Sequence, residues 1–212
     1  MLGHRREEVV LAASLSSLAG FVDAVGFIAV GGYFVSFMSG NTTQAAVAIA
    51  DGAWHDLLVA GSLIVAFVVG VVGGSLAASV RGIRRRPVVL ALVTALLVIA
   101  AGAHAASAPV VLCALVVAAA MGAENATFER DGEVSIGLTY MTGTLVKLGQ
   151  SLARVVRGDR DRAWLRYAVL WSGLAGGAVL GALVYRGLGF ASVWVAAGGA
   201  ALATLVTYAR DL

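Results

Sequence analysis

The chain has 212 residues, of which 60% are apolar and 13% are charged, and its formal net charge at pH 7 is +3. A soluble domain of this length carries about a quarter charged residues, so the composition excludes an ordinary soluble domain and predicts an integral membrane protein. The one cysteine, Cys113, excludes an internal disulfide. The sequence has no CxxC, HExxH, P-loop or dinucleotide motif, so we expect no enzyme activity, cofactor, metal or nucleic-acid partner.

Apolar segments follow one another along the chain and predict a single transmembrane domain over residues 1–212. Eight segments are apparent, at residues 9–30, 33–50, 57–80, 87–107, 109–128, 134–153, 163–186 and 188–208. The first has a basic start that is typical of signal peptides. Because it continues past Ala19-Gly20 to Val30, we expect an uncleaved span instead.

The arginines in the short connections indicate how many segments cross the membrane. If all eight cross with the N-terminus inside, 8 basic residues lie inside and 6 outside, which violates the positive-inside rule. If the second and sixth segments enter and return on the same side, the division becomes 13 to 1. The 13 inside are Arg5, Arg6, the four arginines at 81–86, Arg130, the five at 154–166, and Arg210. This topology predicts six crossings of a bacterial inner membrane, with both termini in the cytoplasm.

The second and sixth segments contain residues that interrupt helices. The second includes Met38-Ser39-Gly40-Asn41-Thr42, and the sixth includes Met141-Thr142-Gly143-Thr144. Glycine among residues that cap helix N-termini predicts an extended segment, a break at Gly40 or Gly143, and a short helix that begins within the membrane. Non-helical backbone at that depth persists only where it is buried in protein or lines a wet cavity.

The two motifs belong to a predicted internal repeat. The matching residues are Met38-Ser39-Gly40 with Met141-Thr142-Gly143, and Gly20, Asp23 and Ala24 with Gly122, Asn125 and Ala126. Each copy, at 9–107 and 109–208, has three crossings and one broken or re-entrant helix. Because three is odd, the second copy is inverted relative to the first. The predicted fold is an all-α polytopic membrane protein with six transmembrane helices and two re-entrant or broken helices.

Inverted repeats with paired broken helices are typical of transporters, whose binding sites lie near the bilayer midplane where the breaks meet. A helix start has unpaired N–H groups and partial positive charge. Two converging starts therefore predict a transporter of a small polar or anionic solute. The candidate substrate-binding residues are Met38, Gly40, Asn41, Thr42, Met141, Thr142, Gly143 and Thr144. Four large side chains either line the solute path or, as is more common in membrane proteins, only pack: Tyr33, Phe37, Tyr140 and Met141.

Four residues in predicted spans are candidates for proton or ion coupling: Asp23, Glu124, Asn125 and Lys147. Intramembrane charges are costly and mark ion pathways or internal pairs. Asp23 is acidic and its repeat counterpart Asn125 is neutral, which suits proton coupling, but a structural carboxylate bound to the broken-helix backbone is an equal alternative. Glu124 lies nearer a span end, where snorkelling is favoured. Lys147 either attracts an anion, pairs with Asp23 or Glu124, or snorkels.

The motif lines resemble the YoaK-like family of bacterial integral membrane proteins. They are Gly20-Phe21-Val22-Asp23-Ala24-Val25-Gly26-Phe27 with residues 34–42, and Met121-Gly122-Ala123-Glu124-Asn125-Ala126 with residues 139–144. The resemblance covers essentially the full chain and implies an integral membrane protein. That family is a domain of unknown function, so the resemblance implies no substrate. Its relatives commonly have Gln where Glu124 stands, which argues against a general proton role for Glu124.

Two other functions are compatible with the sequence. A small-solute or ion channel would have a continuous pore, and a scaffold or accessory protein would pack its breaks tightly with no cavity. A membrane enzyme would need a clustered nucleophile, base or metal, which the sequence lacks. The GxxxG pairs Gly70/Gly74 and Gly177/Gly181 predict close approach of helices, and a homodimer through such a face is the alternative.

Overall fold

The computed structural model describes residues 6–79, 84–130, 133–134, 137–139, 141–159 and 162–210. The α-helices are α1 (Arg6–Val30), α2 (Met38–Asp51), α3 (Trp54–Ala78), α4 (Arg85–Ala105), α5 (Val110–Glu124), α6 (Met141–Val156), α7 (Ala163–Leu188) and α8 (Val193–Ala209). One 3₁₀ helix, Asn125–Phe128, extends α5, and another, Gly189–Ser192, joins α7 to α8. An antiparallel pair of two-residue strands, β1 (Glu129–Arg130) and β2 (Glu133–Val134), is the other regular structure of the described residues.

Five helical stretches are long and apolar enough to cross a membrane, which makes the chain a polytopic membrane protein. They are Glu7–Val30, Trp54–Ala78, Arg85–Ala105, Val110–Phe128 and Ala163–Ala209. The last has 47 residues, more than twice the roughly 20 that one crossing requires. It divides at Gly189, whose φ of 56° is outside the helical range, so it consists of two helices joined by a bend.

Helix α7 packs parallel to α1 at backbone contact distance. Glycines of α7 lie against successive turns of α1, in the pairs Gly173–Ala13, Gly177–Ser17 and Gly181–Phe21. The residue numbers rise together along both helices, so the two helices run in the same direction. Glycine permits this approach because any side chain would occupy the space of the neighbouring backbone.

Helices α3 and α5 form a second parallel pair of the same kind. Gly70 and Gly74 of α3 lie against the backbone of Ala119 and Ala123 in α5. Both GxxxG pairs are therefore covered by helices of the same chain. The close approach that the sequence predicts is confirmed for these four glycines, and they are not left exposed for a partner subunit.

Helices α4 and α8 run antiparallel. The Arg84 side chain before α4 donates a hydrogen bond of 2.8 Å to the Tyr208 carbonyl near the end of α8, and the Thr94 and Thr204 hydroxyls lie 3.3 Å apart. Arg86 forms a 2.8 Å ion pair with Glu8, so α1 and α4 begin at the same end of the bundle. Since α7 is parallel to α1 and α8 is antiparallel to α4, the chain reverses direction at the bend between α7 and α8.

The ends of α3 and α5 lie beside the arginines at the start of α4, Arg84, Arg85 and Arg86. Glu129, which follows α5, accepts a hydrogen bond of 2.7 Å from the Ser75 hydroxyl near the end of α3. The Arg85 guanidinium donates a hydrogen bond to the Glu129 carbonyl. One end of the bundle therefore holds the starts of α1 and α4 and the ends of α3, α5 and α8.

The two short helices begin two residues before the glycines at which the sequence analysis places their starts. Helix α2 begins at Met38 rather than at Gly40, and α6 begins at Met141 rather than at Gly143. The prediction that the breaks fall at Gly40 and Gly143 is wrong, because both glycines lie within the first turns of these helices. A Cβ at Gly40 would lie 2.7 Å from the Phe37 ring, so this glycine makes room for aromatic packing rather than interrupting the helix.

Large apolar side chains remain exposed along most of the helices. Leu58 and Leu76 of α3, Leu183 of α7, and Leu202 and Leu205 of α8 are examples. Exposure of this kind would be unfavourable in water and is what a lipid-facing surface requires. The bilayer is therefore the partner that covers these faces.

The glycine contacts generate a stability prediction. Gly177→Ala would drive a methyl group into the Ser17 carbonyl, and we expect it to lower the free energy of unfolding by about 1–3 kcal/mol. The adjacent Gly176 is the matched control, because no atom lies within 4 Å of a Cβ built there. Thermal unfolding of the purified protein in detergent measures both, and equal melting temperatures for the two variants would contradict the parallel α1–α7 contact.

Candidate functional site

Two glycines turn the chain back into the bundle after α1. Gly31 and Gly32 have φ values of 79° and 106°, a region that residues with a Cβ rarely adopt. The Gly32 N–H donates a 2.8 Å hydrogen bond to the Phe27 carbonyl, which fixes the start of the turn. The following residues, 33–37, are non-helical and lead to α2.

Asp23 fixes the depth that this non-helical segment reaches. Its Oδ1 accepts hydrogen bonds of 2.8 Å from both the Val35 and the Ser36 N–H groups. Asp23 precedes the end of α1 at Val30 by two turns, or about 10 Å at 1.5 Å per residue. The segment therefore re-enters the bundle beside α1.

Asn41 supplies partners for the preceding part of the segment. The Phe34 N–H donates to Asn41 Oδ1 at 2.9 Å, and Asn41 Nδ2 donates to the Phe34 carbonyl at 2.7 Å. The Asn41 side chain is fully buried. Asp23 and Asn41 together satisfy backbone groups of three consecutive residues that have no helical partner, as non-helical backbone away from water requires.

The second non-helical segment, described at residues 137–139, precedes α6 and has a related polar contact. Asn125 is buried, donates from Nδ2 to the Met121 carbonyl at 3.0 Å, and accepts from the Thr139 hydroxyl at Oδ1 with a separation of 3.3 Å. Leu138, the residue before Thr139, is also buried. Tyr140 lies outside the described residues, as do Arg5, Arg81 and Arg160. The predicted counterpart of Asp23 thus also contacts the segment that leads into a short helix, α6.

A cavity of about 550 Å³ lies between the two non-helical segments. This volume is within the range of pockets that bind small molecules. Ser36 and Phe37 line it from the first segment, and Thr139 and Thr142 line it from the second segment and the start of α6. Helices α1 and α7 supply the remaining walls, which are mainly apolar. Asp23 is the one acidic side chain among the described residues that line the cavity.

The structure brings only part of the predicted substrate-binding set to this cavity. Met141 and Thr142 line it, and Phe37 does so from the other side. The cavity lining does not include Met38, Gly40, Asn41, Thr42, Gly143, Thr144 or Tyr33. On the α2 side the cavity lining ends at Phe37, and the Asn41 side chain bonds the Phe34 backbone instead. The Thr42 hydroxyl instead donates to the Met38 carbonyl at 2.9 Å, on the exposed side of α2.

The four predicted coupling residues lie in different environments. Asp23 is half-buried and lines the cavity, and Asn125 is buried at the second segment. The prediction that Glu124 snorkels is wrong: its side chain is fully buried, because the 3₁₀ helix Asn125–Phe128 continues past it. Lys147 is exposed on α6 and pairs with neither Asp23 nor Glu124 among the described contacts.

Sequence reasoning missed several residues of the cavity. Ser36 and Thr139 are related by the same 103-residue offset as the glycine motifs, so the predicted repeat contained a signal that could have identified them. Phe27 and Phe34 lie close to the first motif but have no polar group to distinguish them. Trp171 reaches the cavity from α7, and its position in the sequence carries no sign of that.

The fold and this site define a polytopic, all-α membrane protein with a partly polar cavity between two non-helical segments. Residues 11–206 match the family described as Protein of unknown function (DUF1275). The chain is 38% identical over 210 residues to the UPF0700 transmembrane protein RA0705 of Rhizobium meliloti (strain 1021), with coverage of 98% of this chain and 90% of that relative. The chain belongs to this DUF1275/UPF0700 family of transmembrane proteins. No solved structure matches it.

The backbone contacts of Asn41 lead to a second stability prediction. Asn41→Ala would leave the Phe34 N–H and carbonyl buried without partners, so we expect a loss of about 2–4 kcal/mol in the free energy of unfolding. Thr42→Ala is the adjacent control and removes one exposed hydrogen bond, with a change of less than about 0.5 kcal/mol. Thermal unfolding in detergent compares them. A melting temperature for Asn41→Ala that equals that of Thr42→Ala would show that Asn41 does not hold the segment.

Proposed function

We propose that the protein is a transporter of a small polar solute, with its binding site in the cavity between the two non-helical segments. The observation that carries this proposal is the cavity itself, which contains a half-buried carboxylate, Asp23, away from the ends of the bundle. A protein with a purely structural role has no need for an open volume of about 550 Å³ beside an intramembrane charge. The proposal retains the expectation from the sequence and moves the site from the helix starts to the segments that precede them.

The helix contacts support an internal repeat. The two glycine-packed pairs have equivalent contacts: Gly70–Ala119 corresponds to Gly177–Ser17, and Gly74–Ala123 corresponds to Gly181–Phe21. Contact residues of α1 lie 102 positions before their counterparts in α5, and contact residues of α3 lie 107 positions before their counterparts in α7. Reciprocal contacts of this kind are what a two-fold relation between the halves produces.

The α4–α8 contact supports inversion of the second half. These two helices are each other's counterparts in the proposed repeat, and they run antiparallel with Thr94 beside Thr204. A two-fold axis that relates two antiparallel helices is perpendicular to both of them. If the helices cross the bilayer, the axis lies in the membrane plane, which is the relation found in transporters with inverted repeats.

The proposed topology has six crossings and two re-entrant helices, α2 and α6. The bend between α7 and α8 accounts for two crossings within the 47-residue stretch. Arg84, Arg85 and Arg86 lie at one end of the bundle with the start of α1 and the end of α8. The positive-inside rule makes this the cytoplasmic end, with both termini there, in the bacterial inner membrane that the sequence analysis predicts.

Access to the cavity would change by movement of α6. Helices α1 and α7 form the back wall, and their glycine contacts leave no room for sliding. Residues 34–37 form one side and are held to that wall by the Asp23 bonds to Val35 and Ser36. Thr139, Met141 and Thr142 form the other side, and among the described contacts none of them is hydrogen-bonded to α1 or α7. We propose that α6 and the segment before it open the cavity alternately to the two faces of the membrane. Asp23 is the group available for proton coupling.

Cysteine accessibility tests this proposal without knowledge of the solute. In a Cys113→Ala background, Ser36→Cys and Thr142→Cys each put one thiol in the cavity lining. Right-side-out and inside-out membrane vesicles are treated with a membrane-impermeant thiol reagent. We expect both positions to react from both faces. Ser16→Cys is the control, because Ser16 is fully buried in α1 and does not line the cavity.

The alternatives give different results in the same experiment. A scaffold with sealed breaks predicts no reaction at Ser36→Cys or Thr142→Cys from either face, and that outcome would reject transport. A channel predicts reaction from both faces together with a resting leak of potassium or chloride from proteoliposomes. A carrier predicts proteoliposomes that hold these ion gradients.

A further inference from the structure

We infer that the solute carries an organic cationic group, such as an alkylated ammonium, which binds between Asp23 and the aromatic side chains of the cavity. This inference rests on the proposed function and names the solute class of the same site. The sequence analysis favours an anion because it expects two helix starts to converge on the site. Only the start of α6, at Met141 and Thr142, lines the cavity, so a cation takes the place of that anion here. The start of α2 does not reach the cavity, and a carboxylate stands on that side instead.

The charge of the lining favours a cation. Asp23 is the only ionisable side chain among the described residues that line the cavity, and no lysine, arginine or histidine accompanies it there. Lys147 is exposed elsewhere on α6. A carboxylate in a mainly apolar environment is costly unless it is paired, and a bound cation provides that pairing. The two backbone N–H donors at Oδ1 orient the carboxylate but bring no full positive charge.

The aromatic side chains favour an organic cation over a metal ion. Phe27, Phe34 and Phe37 form a contiguous group, with ring centroids 5.0 Å apart for the first pair and 5.2 Å for the second. Trp171 contributes from α7, and all four rings line the cavity. Aromatic faces attract ammonium groups through the ring quadrupole, and cages of aromatic residues are a recurrent solution for quaternary ammonium recognition.

The volume and the wall chemistry are consistent with a compact, partly apolar solute. A cavity of about 550 Å³ is within the range of volumes that accept a small molecule. Its walls include Leu174 and Ala178, which suit alkyl groups. Thr139 and Thr142 add hydroxyl groups on the side away from Asp23, which suit one or two polar atoms at the other end of the solute.

A series of three molecules of nearly equal shape tests the charge. Choline, its neutral isostere 3,3-dimethylbutan-1-ol, and the anion 3,3-dimethylbutyrate are added to the purified protein in detergent, and thermal unfolding is followed by tryptophan fluorescence. We expect choline at saturating concentration to raise the melting temperature by about 2–4 °C or more, since binding to the native state alone stabilises it. We expect no shift from the neutral or the anionic molecule.

Two variants assign the effect to the proposed contacts. Asp23→Asn keeps an oxygen that accepts from Val35 and Ser36 and removes the charge, so we expect an increase of about tenfold or more in the apparent Kd for choline. Trp171→Leu removes an aromatic wall, with an expected increase of about threefold or more. Their controls, Asp51→Asn and Trp194→Leu, change exposed residues outside the cavity and should leave the Kd unchanged.

Each other outcome overturns the inference. Equal stabilisation by the neutral isostere would remove the role of charge, and stabilisation by the anion alone would restore an anionic solute. No shift with any of the three molecules would reject a cation site of this shape. If Asp23→Asn does not fold, the isostere series and Trp171→Leu still decide the question. Failure here leaves the cysteine-accessibility result intact, because that experiment uses no solute and so tests transport separately.

Discussion

The structure depends on how non-helical backbone is satisfied away from water. Between α1 and α2 the chain gives up its helical hydrogen bonds, and the N–H groups of Phe34, Val35 and Ser36 bond to the side chains of Asn41 and Asp23 instead. Each unmet group would cost several kcal/mol in a hydrocarbon environment. Because a side chain must reach the backbone to prevent that cost, the segment is held against α1. The space beside it, between the two non-helical segments, is the cavity.

Glycine packing determines which parts of the molecule can move. The α1–α7 and α3–α5 pairs are in backbone contact at Gly177, Gly181, Gly70 and Gly74, so each pair behaves as one rigid unit. Each pair also joins one helix from each half of the chain. The halves therefore cannot rock as separate bodies, and α6 and the segment before it are the elements left to move, since the segment before α2 is bonded to Asp23 of α1. This restriction is why the proposed gating is local, although the proposed repeat covers the whole chain.

The sequence predicted the arrangement of helices better than the residues of the site. The arginine count identified the unusual second and sixth segments, because charge placement depends on topology alone. The exact helix starts were missed, since Met38 and Met141 begin helices through backbone bonds that no residue type signals. Asn41 was interpreted as a ligand group, but it binds the Phe34 backbone. Trp171 could not be found at all, because only the folding of α7 against α1 brings it to the cavity.

Asp23 in the first half of the chain has the neutral Asn125 as its proposed counterpart in the second half, and this difference gives the proposed site a direction. Both residues contact the segment that leads into their own broken helix, so either side chain can serve the backbone. The backbone requirement therefore does not explain why one of them is charged. Asp23 lines the cavity and Asn125 does not, so the cavity has its negative end at α1 and the Thr139 and Thr142 hydroxyl groups near the start of α6. A solute with one charged end would bind in a single orientation, and an Asp23 that releases its cation or accepts a proton would change the affinity without disturbing the fold.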